Sequence, residues 1–466
     1  MPLPPFALSQ VLSAAAMAAL LAAPAPALAK KTDKTEKARK AEPEAATKKH
    51  KRKHAARAAA PLRDGDAERR LLEISQLTAQ GRAREALPLA ERLVRDHPNF
   101  QLAQLALGDL LAARARPLGR VGDVVPAPAV AMQAPPAMAG LKFATAVAAP
   151  APQPVAAAPV LSATAAETLS GLRSELRLRL DSTKAPPPQG SIPAQFLELS
   201  ARTRHAIAMD ASRSRLYLFE NTDKGLVLVA DYYASVGKLG TEKLSEGDQR
   251  TPLGVYYITS RLDPATLKDF YGAGALPINY PNPLDQSRGK TGSGIWLHGT
   301  PPEQFSRAPQ ATDGCLALAN PDLERLLKTV EPRTTPVVIA RQLQWVKPQA
   351  LQADRQSFHA VLEAWRAAKS HGDMQRLLAF YAPEFQGLRS AGLEQWAQTL
   401  HAETKALHGR SVQLKDKSML RWTDSSDTMV VTFGEVAEGA RSGSIKRQYW
   451  TRKGARWQIF FEGVIG

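Results

Sequence analysis

The stretch HGTPPEQFSRAPQATDGCLAL opens on His298 and, 17 positions later, holds Cys315, the only cysteine of the chain. A thiol acts as a nucleophile when part of it is thiolate and an acyl carbon can reach it, which takes a base or a positive field and some exposure. Thr312-Asp313-Gly314-Cys315 offers such a setting. Gly314 lets the backbone pass close to a substrate, and the amides of Gly314 and Cys315 are candidates for holding an oxyanion. His298 closes the apolar run from Gly294 to Leu297, a rigid place from which an imidazole can face the thiol. The Gly299 carbonyl is placed to orient the other ring nitrogen, the task of the acid in longer triads. A lone cysteine also reads as a buried apolar filler or an intermolecular link, so spacing alone leaves those alternatives open.

The elements that must position this pair read as short strands. RHAIAMDASRSRLYLFENTDKGLVLVADYYASVGK alternates apolar and polar positions in three runs, with turn signals at Ser212-Arg213-Ser214, at Asn221 to Gly225 and at Gly237. That pattern predicts an antiparallel meander. GVYYIT at 254–259, GIWLHGT at 294–300 and TPVVIAR at 335–341 add further strands. After Arg355, FHAVLEAWRAAKSHGDMQRLLAFYAPEF predicts a helix, a short helix and a turn; a mixed stretch and long strands follow, the order of a separate α+β unit with a curved sheet.

Upstream, Asp64 to Arg116 carries helical stripes broken at Gly81, similar to one tetratricopeptide-type hairpin plus the next first helix. It is expected to serve as a small scaffold or envelope-protein contact. Residues 117–192 are Pro/Ala-rich with almost no charge and read as a semi-rigid linker, interrupted by a helical-looking segment from Ala165 to Asp181. A chain of 466 residues exceeds what one core supports, so several units are expected.

The N-terminus has an apolar run from Val11 to Ala23 followed by Ala27-Leu28-Ala29, the pattern of a cleaved export signal, although a basic residue ahead of the run is missing. The run is too short for a membrane span and is followed by Pro24 and Pro26. Export to an oxidising compartment gives the single thiol meaning, because structural cysteines there come in pairs and a second cysteine could trap a reactive one. It also excludes a cysteine-rich zinc site, and no cofactor or metal is called for. Between Lys30 and Arg57 twelve Lys/Arg face four Asp/Glu, about half of the net charge of +17. In an exported chain this reads as a disordered basic tail for anionic surfaces rather than nucleic acid.

His298-Gly299, the spacer and Thr312-Asp313-Gly314-Cys315 together resemble the signature of the YkuD-type L,D-transpeptidases. GKLGTEKLSEGDQRTPLGVYYI resembles that family's Gly-Asp-x-x-Thr-Pro-x-Gly segment, and YGAGALPINYPNPLD with GKTGSGIWLHG its acceptor-side loop and histidine strand. The resemblance spans residues 203–342. It implies Cys315 as nucleophile, His298 as proton carrier, Gly314 and Cys315 as the backbone oxyanion hole and the Gly299 carbonyl as orienter. Its substrate would be the peptidoglycan stem tetrapeptide, cut between diaminopimelate and D-alanine. The sequence departs from the signature at Asp313, where histidine is usual, and at Ala317, where Arg or Asn is common. Holding the substrate carboxylate then falls to Arg250, Lys243 and Lys238, with Thr312 and Asp313 beside them, or those cations form only a solvated basic rim.

The C-terminal unit resembles the cone of nuclear-transport-factor-2-like domains, with Trp450, Trp457 and Phe460 either lining a pocket or forming plain core. The pairing resembles the cell-shape L,D-carboxypeptidases. The expected chain is multidomain: a signal over 1–29, a basic disordered tail over 30–62, a helical hairpin over 63–116 and a Pro/Ala-rich linker over 117–192. A β-rich YkuD-type catalytic domain over 193–345 and an α+β NTF2-like cone over 350–466 complete it. Three functions compete: a periplasmic, wall-associated L,D-transpeptidase, a hydrolase of the same fold acting as L,D-carboxypeptidase or endopeptidase, and a non-catalytic wall-binding scaffold.

Overall fold

The computed structural model describes residues 65–113, 121, 162–387, 391–423 and 427–465. The expected export signal, the basic tail and most of the Pro/Ala-rich stretch lie outside the described residues. Among the described residues no helix is long and apolar enough to cross a membrane.

The N-terminal helices are α1 (Asp66–Ala79), α2 (Ala83–Asp96) and α3 (Gln101–Ala112). Leu71 and Ile74, Ala86, Ala90 and Leu93, and Leu102, Ala103 and Ala106 recur at helical spacing and close one small core. Next comes α4 (Ala163–Lys184), whose first turn is capped by the Ser162 hydroxyl accepting from the Ala165 amide. This helix covers the helical-looking segment expected from Ala165 to Asp181 inside the Pro/Ala-rich stretch. Leu172, Leu176 and Leu180 fall every fourth position and pack into the same helical core.

The stretch that carries His298 and Cys315 follows as β1 (Ile192–Pro193), β2 (Phe196–Glu198), β3 (His205–Asp210), β4 (Arg215–Thr222), β5 (Gly225–Gly237), β6 (Gly254–Tyr257), β7 (Ala275–Pro277), α5 (Pro283–Ser287), β8 (Trp296–His298), β9 (Gln310–Thr312), β10 (Leu316–Leu318), α6 (Asn320–Thr329), β11 (Pro336–Ala340) and β12 (Trp345–Val346). Its main sheet runs β6-β11-β3-β4-β5-β10-β8-β7, with β9 beside β5. β3, β4 and β5 form the antiparallel meander. On β3, Ile207 and Met209 enter the core of this sheet, whereas Ala206 and Ala208 enter a second core that continues into the C-terminal unit. Alternate side chains take opposite faces, and here both faces are covered.

The C-terminal unit contains α7 (Gln352–His371), α8 (Met374–Leu378), β13 (Tyr381–Gly387), α9 (Leu393–Ala406), β14 (Val412–Trp422), β15 (Thr428–Ala437), β16 (Ser444–Lys453) and β17 (Arg456–Val464). Its sheet order is β13-β17-β16-β15-β14-β2. Three features depart from the sequence reading. The expected turn at YAPEF is β13, an edge strand, the place where a residue such as Pro383 is tolerated. The mixed stretch holds α9. β2, assigned to the catalytic domain, pairs with β14 through Leu420 opposite Phe196, so the backbone joins the C-terminal sheet before it builds the catalytic one. Trp450 and Phe460 are buried in the core, and Trp457 packs against it.

Candidate active site

β8 and β10 lie parallel and adjacent, with Leu297 opposite Leu316 and His298 opposite Ala317. Side chains two apart share a face, so Cys315, just ahead of β10, becomes a diagonal neighbour of His298 across the ladder. The turn that presents the thiol is tied on both sides. Thr312 Oγ1 accepts from the Gly314 amide at 3.1 Å and donates to the Cys315 carbonyl at 2.7 Å. Thr251 Oγ1 donates to the Gly314 carbonyl at 3.0 Å and accepts from the Gly237 amide at 2.9 Å, so the threonine of GDQRTPLG clamps the cysteine turn to the end of β5. Gly314 has φ of 124°, and a Cβ there would lie 2.7 Å from the Arg250 carbonyl oxygen. Only glycine fits.

His298 is buried, with Nδ1 at 2.7 Å from the Gly299 carbonyl oxygen. A carbonyl only accepts, so Nδ1 carries the hydrogen and Nε2 keeps its lone pair. Gly299 is held by its amide donating to the Tyr271 carbonyl at 2.9 Å, and a Cβ there would meet Asn320 Oδ1 at 2.0 Å. Asn320 in turn accepts from the Ala273 and Thr300 amides at 2.9 and 3.1 Å and donates to the Thr300 carbonyl at 2.8 Å. The rings of Tyr271 and Phe270 pack on the imidazole at centroid distances of 5.2 and 5.9 Å.

Burial among these rings, opposed by the Gly299 bond and aided by the Arg307 cation, brings the His298 pKa down to about 4. Cys315 is partly exposed, with Sγ at 3.4 Å from the Gly294 carbonyl oxygen. Burial pushes its thiol up, against a bond from the Trp296 amide and the Arg307 and Lys243 charges. Both shifts favour neutral partners. Low-dielectric surroundings thus work against the charged form of each, thiolate and imidazolium alike.

The other nominated residues divide. The Gly314 amide is already given to Thr312, so of the two expected oxyanion donors it is committed elsewhere. Asp313 is exposed and pairs with Lys238 at 3.0 Å while accepting from Gln249 Nε2 at 3.1 Å. Lys243 is buried and donates to Asp248 at 2.8 Å and to the Ser245 carbonyl at 3.0 Å. Burial works against the Asp248 charge, but Lys243 and the Leu244, Ser245 and Arg250 amides hold its pKa down to about 2. Arg250 donates to the Thr241 carbonyl at 3.0 Å. These cations are thus bonded to protein groups, a use that their charge alone did not reveal.

Sequence reasoning missed Phe270, Tyr271, Asn320 and Arg307. The Arg307 guanidinium lies over the Phe270 ring at 4.3 Å, with no hydrogen-bond partner at its buried Nε. Nothing in its spacing singles it out among 61 Lys and Arg residues. Among the described residues no group of three His, Cys, Asp or Glu is arranged to hold a metal ion.

Comparison with known families matches residues 204–339 to YkuD, the L,D-transpeptidase catalytic domain, and residues 357–463 to the Cds6 C-terminal NTF2-like domain. Among solved structures, Bd1075 of Bdellovibrio bacteriovorus is similar over 59% of this chain and 98% of its own, at 25% identity and a TM-score of 0.51. The helical cell shape determining protein Pgp2 of Campylobacter jejuni is similar over 62% of this chain and 100% of its own, at 21% identity and a TM-score of 0.47. Comparison with curated proteins finds no match. The chain carries a YkuD L,D-transpeptidase catalytic domain joined to a C-terminal NTF2-like domain.

Proposed function

We propose that this is an exported peptidoglycan enzyme whose Cys315 cleaves the diaminopimelate–D-alanine bond of a stem tetrapeptide through a thioester. The observation that carries the reading is the β8–β10 register, which sets a thiol beside an imidazole whose Nε2 is free to take a proton. As Sγ attacks the carbonyl carbon, the thiol proton passes to Nε2 and the carbonyl electron pair moves to oxygen, facing the Cys315 amide. The pair then returns, the C–N bond breaks and His298 hands its proton to the departing amine. D-Alanine leaves, and the acyl group stays on sulfur.

An amine acceptor then gives a new cross-link, the transpeptidase outcome and our first reading. Water gives a tripeptide, the carboxypeptidase outcome, which the NTF2-like domain favours because that pairing resembles the cell-shape L,D-carboxypeptidases. A wall-binding scaffold has no use for the thiol. Placement in the periplasm at the wall rests on the substrate class and on the apolar run ahead of Ala27-Leu28-Ala29. The basic tail would lie on anionic surfaces there.

Mass spectrometry of disaccharide-tetrapeptide mixed with the purified protein, and with a Cys315→Ala control, tests the reading. Dimers linked between two diaminopimelates establish transfer, and tripeptide alone establishes hydrolysis. Untouched substrate and sacculi in both reactions would sink the proposal. The base must be neutral, so kcat/KM should fall only as pH drops through about 4.

A further inference from the structure

A cleft of about 370 Å³ is lined by Gln101 of α3, Phe270, Gln304, Ser306, Arg307 and Ala311 among others, and meets the candidate catalytic pair through Phe270, which packs on His298. Arg307 is its cation. Its flat face rests on Phe270 at 4.3 Å, and Phe270 packs on His298, so the guanidinium stands on the imidazole side of the thiol. Its buried Nε has no hydrogen-bond partner, and among the described residues no carboxylate lies within ion-pair distance of it. Its electrostatic neighbours include Cys315 and Asp313. A half-buried guanidinium whose carboxylate neighbour lies beyond ion-pair distance is incompletely compensated until a ligand supplies a closer charge, and its planar fork matches a carboxylate.

The position of Arg307 is built rather than incidental. Tyr233 Oη donates to the Arg307 carbonyl at 2.8 Å and Ser235 Oγ to the Ala308 carbonyl at 2.6 Å. On the other side Ser306 Oγ donates to Glu175 of α4 at 2.7 Å, the Phe305 amide donates to the Asn99 carbonyl at 3.2 Å, and Phe305 packs on Phe100 at 4.2 Å. The N-terminal helices therefore hold this segment against the catalytic sheet, and α3 supplies a wall of the cleft.

In the acyl transfer described above, the departing amine must lie within reach of His298 Nε2 to receive its proton. The residue that leaves therefore sits on the imidazole side, and its carboxylate is one carbon beyond that amine. We propose that Arg307 binds the free C-terminal carboxylate of the departing D-residue, in a cleft completed by α3. This inference rests on the stem-peptide reading. It makes the acylation selective for peptides with a free terminus, because an amide in that place leaves the guanidinium without its partner. It also gives the helical unit a place in substrate binding.

The test compares the full-length mature protein with Arg307→Met and Arg307→Lys, using disaccharide-tetrapeptide as the free acid and as the C-terminal carboxamide. Turnover is followed by kcat/KM, and binding is measured on Cys315→Ala backgrounds of each. The acid should be preferred over the amide by about 10- to 100-fold, the range for a hydrogen bond to a charged group. Arg307→Met should lower kcat/KM and binding for the acid far more than for the amide and so collapse that preference, and Arg307→Lys should retain part of it. If Arg307→Met keeps the preference, or weakens acid and amide alike, the assignment is overturned. Acid-selective binding that depends on Arg307, without turnover of either peptide, supports the carboxylate site and overturns the reaction. Absence of both selective binding and turnover overturns both.

Discussion

The catalytic sheet is gripped by two joints of opposite chemistry. Toward the C-terminus the joint is apolar: Ala206, Ala208, Tyr217, Phe219 and Val338 share one core with Phe358, Leu362, Trp365, Met419 and Leu420. Toward the N-terminus it is ionic. Arg215 of β4 donates to both Glu68 oxygens at 2.8 Å and to Asp231, and Arg179 pairs with Glu68 at 2.8 Å and with Glu175 at 2.7 Å, all buried except the half-buried Asp231. Arg179 also lies over the Tyr233 ring at 4.0 Å. Burial raises the Glu68 pKa, but Arg215 and Arg179 outweigh it and the net shift is down; for Glu175 burial wins and the shift is up.

The difference teaches what each joint does. Apolar burial is non-directional and scales with area, so it holds two units together without demanding one geometry. A buried ion cluster spends most of its Coulomb energy on desolvation and contributes little net stability, yet it tolerates few arrangements. Here that arrangement includes Glu175 holding Ser306, next to Arg307. The ionic joint fixes a loop of the site; the apolar joint fixes the sheet that carries it.

The sharpest way to break the comparison is Glu68→Ala, which strips both arginines of a shared partner. It should cost about 3–5 kcal/mol in denaturant unfolding and lower kcat/KM together with it; a loss below about 1 kcal/mol would mean the cluster is not a lock. Phe196→Ala, in the apolar joint, should cost about 3 kcal/mol, with the same loss at low and high salt. A salt-dependent loss would contradict the apolar assignment.

Asp322 lies at the ionic joint, close to Gly65, where a Cβ would come within 2.4 Å of its Oδ1. Burial, with the Glu68 charge, raises its pKa from 3.8 to about 6. A raised carboxyl contributes its stability fully below the unfolded value and loses it as pH rises through about 6. Asp322→Asn should therefore be more stable than wild type by about 1–3 kcal/mol at pH 7, with the gap closing at pH 4, in melts at the two pH values. A gap that ignores pH would remove Asp322 from the ionic account. Smallest is Arg447→Ala, which removes a guanidinium over Tyr257 at 3.4 Å between the catalytic and C-terminal units. A loss of about 1 kcal/mol is expected, and a loss like that of Glu68→Ala would blur the contrast.

Much of this molecule follows from local pattern. The stripes of α1 to α3, the runs of β3 to β5 and the long strands near the C-terminus repeat with the period of their own backbone, and the chemistry of Cys315 and His298 lies in residue type and near context. The leucines of α4 carry the same signal, which marks a helical segment inside the Pro/Ala-rich stretch. Tertiary structure decided the rest. β8 meets β10 in parallel, β2 crosses to β14, and Glu68 meets Arg215 across 147 positions. No periodicity records such pairings, because each depends on where distant segments come to lie. The same is true of charge. That the His298 pKa is lowered, that Lys243 is occupied and that Arg307, among the described residues, has no carboxylate within ion-pair distance follow from burial and neighbours, which a residue's type and spacing do not specify.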